Sequence, residues 1–438
     1  MISLLRPALL PALLLAGASA SAAPWTASDA VAAALRENPD AALARQRIVA
    51  AEAMIEQANA AWLPQLSVGA RYTDTNSPMM AFGSILNQRA FNFGLDFNHP
   101  GRIDNLNVAG TVGYNLYSGG RATAGRAAAR AGARAAEEDL RAARAQLATE
   151  AIKALLNLHK AREAVGAVEA GVRAYAAAVA NARLRFDAGQ VLKADLLSLE
   201  VQLAQTREQL TTVRHGAALA ERAFLFVLGR APSSSEPVEV ATEDTSLAQL
   251  AVPAAGAERP ELAGLRQRLA AAEKMVAVAR GARRPTVNAF ASYQYDQGWK
   301  LDRHADSWLA GVSVDLNVFD GGQTSGKIRQ AEAELAQVKE MLRKAELGFA
   351  LEAEQARLAY DSARERLAVS AQTVAQAEES AALSRARFEK GALLTADLIG
   401  VEGRLLEARL RRTVAAADER IALVELHRAL GLPPLVQP

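Results

Sequence analysis

The chain has 438 residues, of which 50% are apolar and 22% charged, and its formal net charge is +2. It contains no cysteine, which excludes disulfides, thiolate metal sites, cysteine nucleophiles and a lipid anchor on an N-terminal cysteine. The near-neutral charge comes without a basic stripe of interleaved aromatic residues, which argues against nucleic acid as a partner.

The N-terminal stretch has the pattern of a secretory signal. Arg6 is followed by an apolar core from Leu9 to Leu15 and by small residues from Ala18 to Ala23. A positive start, a short apolar core and an A-x-A-like end are typical of a cleavable signal peptide. The core is shorter than the roughly 20 residues that a membrane anchor needs. We therefore predict that residues 1–23 are a signal peptide and that the mature chain is exported.

The rest of the chain contains an internal repeat. The stretch Arg183–Leu196 recurs as Arg385–Leu398, and at the same offset Tyr117–Gly120 recurs as Phe319–Gly322. A constant offset over such distances indicates a tandem duplication of one structural unit. The predicted organisation is a first repeat at 24–230, a Pro- and Ser-rich linker at 231–257, a second repeat at 258–432 and a tail at 433–438.

Each repeat begins with a helix and continues with two strands. The first helix runs from Thr26, a predicted N-cap, to about Ala61, and Asn38-Pro39 marks a break in it. Apolar and polar residues then alternate with a period of two, which indicates strands. The predicted strands lie at about 64–73, 105–117, 285–296 and 307–319. Residues 73–105 between the first two strands show no period and are predicted to be a long loop.

The strand pattern leaves two interpretations open. An apolar and a polar face suit the wall of a transmembrane β-barrel, but also a soluble antiparallel sheet with one buried face. Four strands cannot close a barrel, since the smallest have about eight. If the strands lie in a membrane, several copies of the chain must therefore assemble.

Two uninterrupted helices dominate the remaining sequence. Residues 121–187 and 323–389 lack proline and are rich in strong helix formers. Each would be roughly 100 Å long, so it must pack along its length. Apolar residues alternate at spacings of three and four on both sides of Gly189, which predicts an antiparallel coiled-coil hairpin with its tip at that glycine. Gly391 marks the same tip in the second repeat.

Motifs for catalysis or cofactor binding are weak. The segment from Gly321 to Lys327 fits a phosphate-binding loop, but Ile328 occupies the position where magnesium binding requires Ser or Thr. The histidines have no metal-ligand spacing, and no Ser-His-Asp set or acid pair stands out. We predict no enzyme activity, no catalytic residues, no metal and no cofactor.

Two acids recur just past the hairpin tips. Asp195 and Asp397 occupy equivalent positions in the repeats. An acid in the first helical turn stabilises the helix N-terminus, so both residues could serve as helix-capping charges. In a ring of subunits they would also line an entrance and could gate it. Both interpretations can hold together.

The whole pattern resembles the TolC-like outer membrane efflux proteins. The similarity depends on the repeated order of elements, the Arg-x-Arg-Phe tips, the Gly-Gly joints at 119–120 and 321–322, and the Asn38-Pro39 break. It implies an α+β membrane protein: a homotrimer with a twelve-stranded barrel in outer membrane lipid, continued by a coiled-coil tunnel in the periplasm. It also implies a passive exit duct that works with a periplasmic adaptor and an inner membrane pump of the RND, ABC or MFS type.

The resemblance also assigns roles to single residues. The adaptor-docking tips would comprise Arg185, Phe186, Gly189, Arg387, Phe388 and Gly391. Asp397 matches one acid of the pore constriction, and Gly400 stands where a second acid would be expected. Asp195 matches a partner in the closure network, while Leu393 replaces its arginine. A missing lipid-anchor cysteine fits the non-lipidated branch of the family.

A second interpretation remains, namely a periplasmic coiled-coil adaptor with a soluble sheet. It predicts release from membranes by salt or urea washes, whereas a barrel needs detergent. The sequence does not indicate the exported compounds or the type of pump, because a tunnel lined by generic polar residues carries little substrate information.

Overall fold

The computed structural model describes residues 24–96, 98–233, 238–241 and 244–435. The predicted signal peptide, residues 1–23, lies outside them, as do the last three residues of the predicted tail.

The first helix is split where the sequence predicts a break. Helix α1 spans Ala27–Glu37 and α2 spans Pro39–Ala60. Thr26 caps α1, because its side chain accepts a hydrogen bond from the Asp29 N–H. Asn38 then caps α2 in the same way, with Pro39 at the first helical position.

Four strands of the described chain form one antiparallel sheet in the order β1-β2-β3-β4. Their bounds are Gln65–Thr75 for β1, Ile103–Tyr117 for β2, Thr286–Gly298 for β3 and Arg303–Asp315 for β4. The prediction for the last strand, 307–319, was shifted: β4 begins earlier and ends at Asp315. Asp315 pairs with Thr286, the first residue of β3, so the residues beyond it have no neighbouring strand to join.

The loop between β1 and β2 contains a helix that the sequence pattern missed. Helix α3 spans Pro78–Asn87 within the segment predicted to be loop. Pro78 suits the first helical turn, but the helix is short and includes Gly83, so its periodicity is weak. The corresponding connection of the second repeat, from β3 to β4, is a tight turn at residues 299–302.

The sheet has two chemically different faces. Register pairs Val68 with Gly110, Gly110 with Tyr293, and Tyr293 with Trp308, so these residues share one face. This apolar face is exposed in the single chain. Its exposed large side chains are Leu66, Val68, Tyr72, Val112, Tyr114, Tyr293, Trp308, Val312 and Val314. The opposite, polar face carries Ser67, Asn107, Ser292 and Gln294.

Two long helical hairpins extend from the sheet. Helices α4, Arg121–Asp187, and α5, Lys193–Val227, form the first, and α8, Gln323–Glu389, and α9, Thr395–Ala429, form the second. Helix α7, Pro260–Gly281, lies against α4 and α8. Gly120 and Gly322 adopt left-handed conformations where each strand passes into its helix, so the glycine pairs serve as joints.

The largest apolar core lies midway along the helices. Leu155, Leu158 and Phe224 pack there with α1 and the C-terminal part of α9. The predicted linker at 231–257 takes part in this core: Val238, Leu247 and Leu250 are buried in it, and α6 spans Thr245–Ala248. Leu435 of the predicted tail is buried there too. Among the described residues, no helix combines the length and apolar character that crossing a membrane would require.

Candidate functional site at the hairpin tips

The two tips have the same backbone design. We call residues 183–196 the first tip and residues 385–398 the second tip. The helices end two residues before Gly189 and Gly391, whose φ angles of 72° and 77° are left-handed. In the first tip, the Gln190 N–H donates to the Arg185 carbonyl; in the second, Ala392 donates to Arg387, each at 2.8 Å. This pattern satisfies the last carbonyls of each helix and turns the chain sharply.

An ion pair at the base of each tip is also repeated. Arg183 lies 2.6 Å from Glu200 in the first hairpin, and Arg385 donates from Nε and Nη2 to the two carboxylate oxygens of Glu402 in the second. These residues occupy equivalent positions in the sequence repeat. The Glu200 side chain is 34% exposed, whereas that of Glu402 is only 4% exposed. The pairing with Glu402 raises the pKa of Arg385.

The first tip reaches over the second. Arg185 Nη1 donates a hydrogen bond to the Phe388 carbonyl at 2.9 Å, and its guanidinium carbon lies 5.6 Å from the centre of the Phe388 ring. A Cβ at Gly391 would lie 2.9 Å from Arg185 Nη2, so the glycine leaves room for the arginine. The predicted docking residues Arg185, Phe388 and Gly391 are therefore in direct contact.

Within the described part of the chain, the equivalent contact between Arg387 and Phe186 is missing. Phe388 is 3% exposed, but its counterpart Phe186 is 36% exposed. Arg387, the counterpart of Arg185, is exposed, and no residue of the described chain hydrogen-bonds to its side chain. The two tips thus have the same backbone turn. Only the second tip has its phenylalanine buried and bonded by an arginine of the other hairpin.

A buried tyrosine joins the two hairpins just behind the tips. Tyr175 on α4 donates its hydroxyl to the Ile399 carbonyl on α9 at 3.1 Å. Burial, with a smaller contribution from the Glu402 charge, raises the pKa of Tyr175 to about 12. Tyr175 packs with Leu199, Phe388 and Leu398 in an apolar cluster drawn from both repeats. The cluster fastens the second hairpin to the first.

The recurring acids lie within the tips but outside this network. Asp195 and Asp397 each occupy the first turn of the second helix of a hairpin. Asp195 is half-buried and Asp397 is exposed. Within the described residues, neither carboxylate makes a hydrogen bond or ion pair. Gly400 is exposed, and Leu393 packs against the apolar cluster.

Sequence reasoning missed Tyr175, Ile399 and Glu402, which lie just behind the tips. The repeat contained a signal for Glu402, because Arg183 with Glu200 and Arg385 with Glu402 recur together. In the sequence, Tyr175 is only one of the apolar residues spaced three and four apart before Gly189. Among the described residues, no group of three acids or histidines gathers as a metal site would require.

A sheet with one apolar face is continued by two long helical hairpins, which is the order of elements that the resemblance to the efflux proteins implies. The comparison with family models agrees: the model described as outer membrane efflux protein matches residues 30–230 and 251–432. The chain therefore belongs to the outer membrane efflux protein family.

Individual outer membrane proteins are also similar to the chain in sequence or in fold. The chain is 24% identical over 342 residues to the outer membrane efflux protein BepC of Brucella suis biovar 1, covering 74% of this chain and 72% of BepC. Its fold is similar to the outer membrane protein VceC of Vibrio cholerae, with a TM-score of 0.77, 20% identity and coverage of 92% and 96%. The open-state MtrE outer membrane channel of Neisseria gonorrhoeae gives a TM-score of 0.73, 16% identity and coverage of 93% and 89%. The chain is thus an outer membrane efflux protein by family, and it shares its fold with these solved outer membrane proteins.

Proposed function

We propose that three copies of the chain form a passive exit duct through the outer membrane. The twelve strands would close one barrel in the lipid, and the helices would continue it as a tunnel in the periplasm. Cargo would arrive from an inner membrane transporter through a periplasmic adaptor protein. Such a duct needs no catalysis and no cofactor, because the transporter drives the transport.

The observation that carries this proposal is the exposed apolar face of a sheet that cannot close alone. Val68, Tyr293 and Trp308 lie side by side on that face, with Trp308 76% exposed. A lipid-facing barrel wall alternates in this way, with polar residues towards the lumen. Tyr72 and Trp299 contact each other near one end of the sheet, with ring centroids 5.9 Å apart, and aromatic residues of this kind line membrane interfaces.

Apolar side chains on the helices support self-association. Within the chain, α4 packs against α9, and the repeat makes α8 and α5 the equivalent pair. Both α8 and α5 expose apolar residues that would be covered if α8 of one copy met α5 of the next. Those on α8 are Met341, Leu347, Leu351, Leu358, Val369 and Leu383. Those on α5 are Leu197, Val201, Leu219 and Phe226.

The tips fit the same arrangement. In a ring of copies, α8 of one copy would lie beside the first hairpin of the next. Arg387 of the first copy would then lie beside Phe186 of the second, as Arg185 lies beside Phe388 within one chain. Asp195 and Asp397 would lie near the tunnel entrance as gating charges. The adaptor would dock on the tips, comprising Arg185, Phe186 and Gly189 with Arg387, Phe388 and Gly391, and would compete for the contacts that hold them together.

The alternative, a periplasmic adaptor with a soluble sheet, is less well supported. Within the described residues, no element of the chain covers the apolar face of the sheet, so a soluble protein would expose it to water. An adaptor would need a partner protein to cover the apolar face of the sheet, whereas the lipid of a bilayer would cover it directly.

The mass of the detergent-extracted protein by light scattering, with membrane fractionation of the same preparation, tests the proposal. We expect three chains per particle and protein in the outer membrane fraction that resists salt and urea washes. A monomer or dimer in the soluble periplasmic fraction would overturn the duct and favour the adaptor.

A further inference from the structure

Helix α3 lies on the polar face of the sheet, at the end away from the hairpins. It contacts β2 and β4, and therefore crosses the end of β3. The residues buried there belong to the polar face: Asn105, Asp296, Gly298 and Ala305. The loop thus folds back over one specific face of the sheet.

A polar network anchors the C-terminal end of α3. The Gln88 amide nitrogen donates to the Asp104 carbonyl at 2.8 Å and to Asn105 Oδ1 at 2.9 Å. Asn105 in turn donates to Asp296 Oδ1 at 2.6 Å. A Cβ at Gly298 would collide with the Gln88 amide, so glycine is required for this approach. Buried, mutually bonded polar groups fix one position of a segment.

Apolar and backbone contacts add to the anchor. Ile85 and Ala81 on the inner side of α3 pack against Ile103, and all three are buried. Arg89, just after the helix, donates a hydrogen bond to the Asp306 carbonyl of β4 at 3.1 Å. The helix is therefore attached to both edges of the polar surface that it covers.

The outer side of this element is apolar and uncovered. Met79 is 81% exposed, Phe93 is 97% exposed, and Met80 is exposed beside them. The Phe93 ring packs on Phe91, with centroids 5.4 Å apart. Met and Phe side chains presented together to water indicate a surface that another apolar surface covers.

The dimensions of the proposed twelve-stranded barrel indicate which surface would cover Met79, Met80 and Phe93. Twelve strands about 4.8 Å apart and tilted by about 40° enclose a backbone radius of roughly 12 Å. A helix with its side chains is about 10–12 Å wide. A helix lying on the inner wall therefore extends almost to the axis. Three such helices leave no aqueous passage and bring their outer sides together.

We propose that α3 and residues 91–93 form a plug at the outer end of the channel, in which the three copies meet through Met79, Met80 and Phe93. This inference depends on the proposed trimeric duct, since only a closed barrel turns the polar face inward. The occupant of the exposed apolar surface is thus the same surface of the other two copies. An apolar constriction excludes water and hydrated solutes, so the plug would close the exit until cargo displaces it.

Cysteine cross-linking in the full chain tests the plug, because the chain has no cysteine of its own. The variants are Met79→Cys, Met80→Cys and Phe93→Cys, expressed singly in the outer membrane and treated with a thiol oxidant or a short bis-maleimide. Val68→Cys, exposed on the apolar face, is the control. We expect cross-linked pairs of chains at one or more plug positions and none at position 68.

Light scattering on the same samples separates the two proposals. A trimeric particle without any cross-link at the three plug positions would overturn the plug and leave the duct intact. A particle that is not trimeric would overturn the duct and the plug with it.

Conductance in planar bilayers gives an independent readout. The double variant Ile85→Ala/Gln88→Ala removes the apolar and polar anchors, and we expect a several-fold rise in the resting conductance of the trimer. Ser84→Ala is the matched control, because Ser84 lies on the same helix and its hydroxyl donates to the Met80 carbonyl within that helix. A double variant with unchanged conductance would contradict the plug.

Discussion

Arg185 and Phe388 join the two repeats at the hairpin tips. The arginine donates a hydrogen bond to the Phe388 carbonyl at 2.9 Å and lies over the ring of the same residue. A hydrogen bond from a charged group stabilises by about 1.5–3 kcal/mol, and a cation–π contact adds about 0.5–1 kcal/mol at exposed sites. One side chain therefore connects tips that lie far apart in the sequence.

The first prediction concerns this link. Arg185→Ala removes both contacts, so the second tip is held less firmly. In the Ile85→Ala/Gln88→Ala background, where the plug no longer closes the exit, this variant should raise the resting conductance in planar bilayers severalfold. Arg183→Ala is the matched control, since Arg183 lies on the same turn but pairs with Glu200 inside its own hairpin. Equal conductances of the two variants would show that the link does not restrain the tips.

The second prediction compares the repeated ion pairs. Glu402 is almost fully buried beside Arg385, whereas Glu200 is partly solvated beside Arg183. Glu402→Gln should therefore cost about 1.5–3 kcal/mol locally, and Glu200→Gln less than about 1 kcal/mol. Hydrogen exchange of the tip amides measures the difference, which corresponds to roughly tenfold or faster exchange in the second tip. A larger increase in amide exchange for Glu200→Gln than for Glu402→Gln would contradict this prediction.

The third prediction addresses the candidate gate. Asp397 is exposed near the second tip without a partner in the described chain. Three copies would concentrate negative charge at the tunnel entrance, which favours divalent cations there. Measured in the Ile85→Ala/Gln88→Ala background, where the plug no longer closes the exit, Asp397→Ala should weaken the block of conductance by divalent cations. Glu389→Ala, at the exposed end of α8, controls for general loss of charge. Unchanged block in the Asp397 variant would leave this residue as a helix-capping charge.

The fourth prediction tests which face of the sheet meets lipid. Ala291 and Ser292 are adjacent residues near the middle of β3, on the apolar and polar faces respectively. A lysine facing the middle of a bilayer costs about 2–4 kcal/mol, whereas lumen positions tolerate charge. Ala291→Lys should therefore lower the amount of folded protein in the outer membrane more than Ser292→Lys. Equal yields would argue against a membrane wall.

Much of the fold could be predicted from local patterns. Helices α4 and α8 begin after glycine joints and end before glycine turns, so their limits could be read from the sequence. Strand β4 shows the limit of this reasoning. The apolar alternation continues through Val318, but a strand ends where its neighbour ends, and Thr286 begins β3 opposite Asp315.

The candidate site was harder to predict from the sequence than the fold. The repeat located both tips, but it treated them as equivalent, whereas Phe388 is buried and Phe186 is not. That difference arises because Arg185 and Tyr175 reach across to the second hairpin, and contacts between distant segments leave no local periodicity. The sequence pattern did not predict helix α3 for a related reason, since its stability depends on the contacts of Gln88 and Ile85 with the sheet.

The last prediction concerns acid stability at the junction of α1 and α2. Hydrogen bonds from Arg230, and secondarily from Arg36, lower the pKa of Glu37 from its usual 4.5 to about 2. A carboxyl with a depressed folded-state pKa stabilises the protein above its unfolded pKa and loses that contribution as the pH falls through the folded value. The contribution should therefore be complete above about pH 5 and fade towards pH 2.

Glu37→Gln should lower the free energy of unfolding at pH 6 by about 1 kcal/mol, since water screens the 30% of the side chain that remains exposed. Helical circular dichroism melts of the detergent-extracted protein between pH 6 and pH 2 measure the effect. The variant and the parent should converge at the acidic end. Glu52→Gln, on an exposed part of α2, should melt like the parent throughout. A variant that differs from the parent equally at every pH would show that packing, rather than the charge of Glu37, sets the difference.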